Sequence, residues 1–261
     1  MAILPQIIGR IPREKDEERK RVTEIEELLS ALNRIIVLNP DPSQMRDYNR
    51  ITDVRLKMDA SNISAALYDI CKDAEKKTRI LDFMRRLPEN EIKDISFIKT
   101  KIGDIIFALK EKYMSSSELV DAKKLSDGTL RCIAIITALL SAEEDSIVIV
   151  EEADNGIHPS RLQALINEVE EICVENNSDI IITTHNSGLL DMYDGELISG
   201  VNLIYREVKE GVSKIISIED IAGAFGIIAS EGLGDSLISQ KLITAVKNKK
   251  NDANFEWLGV Q

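Results

Sequence analysis

Two acidic residues, Glu151 and Glu152, follow directly on the apolar run "SIVIV" at 146–150, and His185 follows on "DIIITT" at 179–184. If both runs are parallel strands, these side chains stand at carboxyl ends, where ligands gather in an open α/β sheet. A carboxylate pair there can hold Mg²⁺ through water and polarise an attacking water. A histidine opposite can contact a phosphate oxygen or orient that water. Upstream, "KKLSDGTLRCIAIITALLS" at 123–141 sets a polar turn against a long apolar run. A helix that starts in this turn presents free N–H groups and the positive end of its dipole, which suits a phosphate. Ser126 adds a hydroxyl, Gly128 leaves room for a close approach, and Arg131 lies one turn in. Each feature also has a plainer reading: a solvated strand end, a structural histidine, an ordinary helix cap. Their order and spacing together favour phosphate chemistry.

The elements that must hold these residues are legible in outline. Residues 15–36 place Val22, Ile25, Leu28, Leu29, Leu32 and Ile35 at helical spacing, and the "NPDPS" punctuation at 39–43 closes that helix. One or two helices fill 61–87, with Ser61 or Asn62 as cap, and "DISFIKTKIGDIIFALKEKY" at 94–113 alternates around Gly103 as an antiparallel hairpin. The 146–150 and 179–184 runs read as buried strands. Between them, Pro159 opens a helix with Leu162, Leu165, Ile166, Val169, Ile172 and Cys173 on one stripe. Strand, helix and strand then form a right-handed βαβ unit. A further hairpin is expected near 201–207 and 213–218 around Gly211, and a helical, then polar, tail from about 220. The fold class is α/β.

With 261 residues, 44% hydrophobic and 30% charged, the chain can build one large or two small domains. A net charge of −12 argues against a broad nucleic-acid-binding surface, which needs clustered Lys and Arg, although the "KNKK" run at 247–250 leaves a local contact open. Cys71, Cys132 and Cys173 are far apart, without metal-ligand spacing, and read as small core residues of a protein in a reducing compartment. No signal peptide and no apolar stretch of membrane-spanning length is evident, so a cytoplasmic protein with no membrane partner is expected.

The motifs carry a resemblance. "LSDGTLR" resembles the signature motif of ABC-type ATPases, "IVIVEEADNGIHP" their Walker B and D-loop, and "IIITTHNSGLL" their H-loop. The variant is similar to the SMC/RecF-like branch, near the OLD-type and related "AAA" ATPases of bacterial genome maintenance and phage defence. "LNPDPSQMRDYNRI" and "DASNISAALY" resemble segments that precede the signature in that branch, and the similarity spans roughly residues 38–225. The resemblance implies a partial P-loop NTPase-like (ABC ATPase) sheet, with ATP and Mg²⁺ as ligands. Ser126 and Gly128, with Arg131 behind them, would then meet the γ-phosphate of ATP held by a facing subunit. It implies Glu151 near Mg²⁺ through water and Glu152 as catalytic base. Asn155, Gly156 and His158 would form the D-loop at a dimer interface, and His185 would be the γ-phosphate switch. Glu151 stands where Asp is usual, and Ala153 where Pro is frequent.

One motif is not found. A Walker A loop, G-x-x-x-x-G-K-[ST], occurs nowhere in the 261 residues, and "SEGLGDS" at 230–236 lacks both the Lys and the spacer. The expected organisation is therefore an N-terminal amphipathic helix (1–38), a C-terminal ATPase lobe (39–225) and a helical, polar tail (226–261). Three readings remain. The lobe completes an ATPase with a Walker A lobe from another chain or from upstream sequence. Or it is a non-catalytic pseudo-ATPase module that docks on a full-length relative. Or it is an α/β domain that has lost its function. The first two imply a homo- or hetero-oligomer, with DNA reached through the partner.

Overall fold

Charged and apolar residues interleave at helical spacing from Asp16 onward, and helix α1 (Asp16–Asn33) results. The computed structural model describes residues 16–88, 91–113, 116–191, 197–207 and 211–253. The helix stops earlier than its apolar periodicity suggests. "IIVL" (Ile35–Leu38) is strand β1, because this β-branched run pairs in parallel with a strand from the middle of the chain. Ile35 is thus a strand residue, and residues 35–38 belong to the sheet. On α1 itself Val22 is buried, while Leu28 and Leu32 are 54% and 42% exposed.

A 3₁₀ turn (Gln44–Arg46) and the short β2 (Asn49–Arg50) lead into α2 (Ile63–Ile70) and α3 (Ala74–Arg86). Asp73 caps α3 by accepting from the N–H groups of Glu75 and Lys76. Asn62, the expected cap of α2, does other work. Its amide donates to the carbonyls of Asp53 and Arg55 and accepts from the Lys57 N–H, stitching the loop before the helix. Strands β3 (Ile92–Lys99) and β4 (Asp104–Tyr113) form the expected hairpin, with Gly103 at φ 88 in the turn. The other edge of β4 takes β2 and β5 (Ser116–Asp121), completing an antiparallel sheet.

Helix α4 (Asp127–Ser141) is the centre of the core: every residue from Cys132 to Leu140 is buried. It packs against α2, α3, β1 and the next strand, β6 (Ile147–Val150), and against α5 (Pro159–Glu175). After α5 comes β7 (Asp179–Ile182), and β1, β6 and β7 form a parallel sheet in the order β1-β6-β7. The βαβ unit is therefore present. The expected burial of both its strands is not. In β6, Val148 and Val150 are buried while Ile147 and Ile149 are partly exposed, and in β7 Ile181 is 50% exposed. The reason is position: β7 is an outer strand with one strand neighbour among the described residues, and β6 packs on alternate residues only.

By its contacts the chain divides into residues 1–184 and 185–261, ahead of the boundary near 225 expected from the sequence. The second unit holds the short helix α6 (Ser187–Leu190) and a two-stranded hairpin, β8 (Asn202–Glu207) and β9 (Val212–Ser217). Helices α7 (Ala224–Glu231), α8 (Leu233–Ile238) and α9 (Lys241–Ala253) follow. Its own small core joins Ile218, Ile221, Ala224, Leu233, Leu242 and Val246. The "KNKK" run lies in α9, its side chains beyond Lys247 outside the described residues. Among the described residues no helix is long and apolar enough to cross a membrane.

Candidate functional site

The register of the parallel sheet brings three strand ends level. Leu38, Val150 and Ile182 are partners across β1, β6 and β7, so Asn39, Glu151 and Thr183 emerge side by side beyond them. Backbone ladders extend one step further, from Glu151 N–H to Leu38 O (2.9 Å) and from Thr183 N–H to Val150 O (3.0 Å). Asn39 then donates its side-chain amide to Glu151 Oε2 at 2.9 Å. Glu152 turns away in a left-handed backbone conformation (φ 47), which few side chains adopt without cost. Two contacts hold it there: its N–H donates to Thr183 Oγ1 (3.1 Å), and its carboxylate accepts from Asn155 Nδ2 (3.3 Å).

The loop after Glu152 has a second task. Gly156, at φ 69, aims its carbonyl at the first turn of α4, where a Cβ on Gly128 would lie 2.7 Å from that oxygen. On the side where a Cβ would stand, the room that Gly128 leaves is taken by the chain's own backbone. His158 is the N-cap of α5: its Nδ1 accepts from the Ser160 N–H (3.3 Å) and lies 2.8 Å from the Ser160 hydroxyl. Ser126 is exposed and caps α4, accepting from the Thr129 N–H at 3.2 Å. Arg161, buried on the first turn of α5, donates Nη1 to Thr129 Oγ1 at 2.8 Å and reaches Ser126 Oγ at 3.4 Å. Arg131 has a buried Nη1 with no hydrogen-bond partner among the described residues.

The segment after β1 is tied to the same turn. Arg46 donates to Asp127 Oδ1 (2.6 Å), to the Leu125 carbonyl (2.9 Å) and to the Pro42 carbonyl (2.7 Å). Asp41 accepts from the Ser43 hydroxyl and backbone and from the Gln44 amide, and these bonds, the Ser43 hydroxyl foremost, hold its carboxyl below the usual range. A recess of about 430 Å³ lined by Asn39, Lys57, Met58 and Asp59 opens next to the strand ends. A larger cavity, about 930 Å³ and lined in part by Arg34, Asp69, Lys76 and Glu143, includes none of the candidate site residues.

Ser126 and Gly128 thus meet the loop and helix start at 155–161 through Arg161 and Gly156, Glu152 joins that loop through Asn155, His158 caps α5 beside it, and Glu151 pairs with Asn39 instead. His185 opens the second unit and is exposed. Asn39, Arg46, Thr129, Arg161 and Thr183 were not singled out in the sequence. For Asn39 and Arg46 the signal is the "LNPDPSQMR" segment, and Thr129 and Thr183 lie inside the "LSDGTLR" and "IIITTHNSGLL" motifs; for Arg161 there is none. Magnesium is held by one or two carboxylates together with substrate phosphates, and the oxygen donors of Glu151 and Glu152 beside a capped helix fit that chemistry. Among the described residues there is no cluster of three or more His, Cys, Asp or Glu.

A parallel sheet thus carries an acidic pair at one strand end, beside the capped mouth of a buried helix. The family model described as "AAA domain, putative AbiEii toxin, Type IV TA system" matches residues 10–191, and the chain belongs to that family. Two curated relatives match at lower identity. The energy-coupling factor transporter ATP-binding protein EcfA2 of Staphylococcus epidermidis is 26% identical over 113 residues, 42% of this chain and 37% of that protein. An ATP/GTP phosphatase of Helicobacter pylori is 25% identical over 138 residues, 49% of this chain and 34% of that one. The chain thus spans about a third of the length of the curated relatives it matches. Among solved structures, the Smc head bound to the C-winged helix domain of ScpA superposes with a TM-score of 0.48 at 15% identity, covering 76% of this chain and 62% of that one.

Proposed function

We propose that this chain is the signature- and Walker B-bearing lobe of an ATPase that converts ATP and water to ADP and phosphate. The phosphate-binding Walker A loop would come from another chain or from sequence upstream. The observation that carries this reading is the level array of Asn39, Glu151 and Thr183 at the carboxyl ends of three parallel strands, with Glu152 turned out beside it. In this reading Glu152 accepts the proton of the attacking water, and its left-handed backbone, fixed by Thr183 and Asn155, aims the carboxylate. Glu151 orients metal-bound water, with Asn39 fixing its rotamer. Mg²⁺, when bound, neutralises charge on the β- and γ-phosphates. Ser126 and Gly128 meet the γ-phosphate of ATP held by a facing subunit, and His185 is the γ-phosphate switch. Arg131 belongs to the same nucleotide-binding set, while Asn155, Gly156 and His158 form the D-loop against that subunit.

The outer strand β7, with Ile181 half exposed, supports the need for a further lobe, since an apolar edge strand is a template for strand addition. A homo- or hetero-oligomer, assembly as a dimer around ATP, a cytoplasmic site of action, and genome maintenance or phage defence with DNA reached through the partner belong to the same reading. A second reading, a non-catalytic module that offers its signature in trans, draws on the exposed edge and the Gly128–Gly156 contact, neither of which involves hydrolysis.

Glu152→Gln separates the two. In an assembly of the full chain with a Walker A-bearing subunit, the substitution should lower turnover by about 10²- to 10⁴-fold with ATP binding kept. His185→Ala should slow turnover more than His158→Ala. The chain by itself should show no micromolar ATP binding by calorimetry. Near-normal turnover of the Glu152→Gln assembly would exclude the catalytic reading and leave the docking one.

A further inference from the structure

Arg161 and Thr129 are both buried, yet the group they lead to, Ser126, is exposed. A guanidinium taken out of water is costly unless its donors are used, and Arg161 places Nη1 2.8 Å from Thr129 Oγ1. A hydroxyl has one proton to give and two lone pairs to accept with. By accepting the charged donor, Thr129 Oγ1 is left with its own proton to place. Among the described residues its acceptor is Ser126 Oγ, 2.8 Å away. Ser126 Oγ then accepts twice, from the Thr129 hydroxyl and from the Thr129 N–H at 3.2 Å, with Arg161 Nη1 also nearby at 3.4 Å. With its lone pairs engaged, the Ser126 hydroxyl has a proton that must point away from the helix. In the reverse direction, Ser126 donating to Thr129, the Thr129 proton would have no acceptor among the described residues.

We propose that Arg161 and Thr129 are positioning residues that turn the Ser126 hydroxyl into a fixed outward donor for the terminal phosphate of a nucleoside triphosphate. This rests on the signature reading of Ser126 given above. The chain runs from a fixed positive charge on α5, through two hydroxyls, to the mouth of α4, and the α4 dipole acts in the same direction. Hydrogen bonds in series polarise one another, and a charged donor at the start strengthens the last one. Arg161 follows closely on the loop that carries Glu152, Asn155 and Gly156, so one short stretch of chain runs from the strand-end carboxylate to the residue that orients the signature donor.

The test is ATP-dependent association of the full chain with a Walker A-bearing subunit, measured by sedimentation, with urea unfolding of each variant alongside. Ser126→Ala and Thr129→Val should each weaken association by about 10- to 100-fold, as expected for loss of a charge-assisted hydrogen bond. The double variant should be no weaker than Ser126→Ala alone, because both remove the same donor. Thr129→Ser should restore association to within about twofold while leaving out the methyl group that packs in the core. Arg161→Lys should retain more association than Arg161→Met at equal stability. Additive losses in the double variant, or Thr129→Val binding as the parent does, would overturn the relay while leaving the signature reading in place. No effect of Ser126→Ala would overturn the signature reading, and the relay with it.

Discussion

Replacing Gly128 by alanine sets two known effects against each other. At an ordinary helical position alanine stabilises by about 0.5–1 kcal/mol relative to glycine, because the unfolded chain has less freedom to lose. Gly226, on α7, is such a position: a Cβ there meets nothing within 4 Å. At Gly128 the added carbon would lie 2.7 Å from the Gly156 carbonyl oxygen and 3.4 Å from the Ile157 Cα, both backbone atoms. Neither can swing aside as a side-chain tip would, so the loop or the helix start must shift by several tenths of an ångström. Overpacking of this kind costs about 1–3 kcal/mol, which exceeds the propensity gain. The expected outcome is a net loss of up to about 2 kcal/mol for Gly128→Ala and a gain of up to about 1 kcal/mol for Gly226→Ala. Urea unfolding followed by circular dichroism reads both, and the slope with denaturant should be unchanged. If Gly128→Ala were as stable as the parent chain, the contact with Gly156 would not be the reason for the glycine. Space for an anion would then be the better explanation.

Two other perturbations follow from the core of the first unit. Glu168, on α5, is 1% exposed and accepts from Arg79 Nε (2.8 Å) and from Arg86, both on α3. Glu168→Ala strips the carboxylate from two guanidinium groups and should cost about 3 kcal/mol, whereas Arg86→Ala, at a half-exposed partner, should cost about 1 kcal/mol or less; a lower urea midpoint checks both. The Cys132 thiol is pushed up to about 12 by burial, against a smaller opposing pull from Arg161. Ellman's reagent at pH 8 should therefore label Cys132 only on unfolding. Above about pH 9 the unfolded thiol ionises while the folded one keeps its proton, so stability should fall with rising pH, and less so in Cys132→Ala.

How far the sequence discloses this molecule depends on whether a signal is local. The β3–β4 hairpin is legible because two-residue alternation flanks a glycine that takes a positive φ. The β6-α5-β7 unit is legible because Pro159 and a helical stripe separate two β-branched runs. Strand β1 is hidden because Ile35 continues the apolar spacing of α1 with no glycine or proline between them. The exposure of β7 is hidden too, since an apolar run does not say whether its strand is central or outer. Within the site, residue types at strand ends drew attention to Glu151 and Glu152. The partners that fix them, Asn39 and Thr183, become visible only once the register is known. Arg161 reads in sequence as one more surface charge on a helix, and only packing turns it inward.

The contact between Gly128 and Gly156 also bears on how this sequence can diverge. A lineage that enlarges residue 128 must first displace the loop at 154–158, since the obstacle is main chain and cannot be trimmed by substitution. A lineage that replaces Gly156 strains the left-handed turn that aims its carbonyl at α4. Two motifs that stand as separate words along the chain are therefore sterically coupled, and a change at residue 128 requires a matching change of the turn at Gly156.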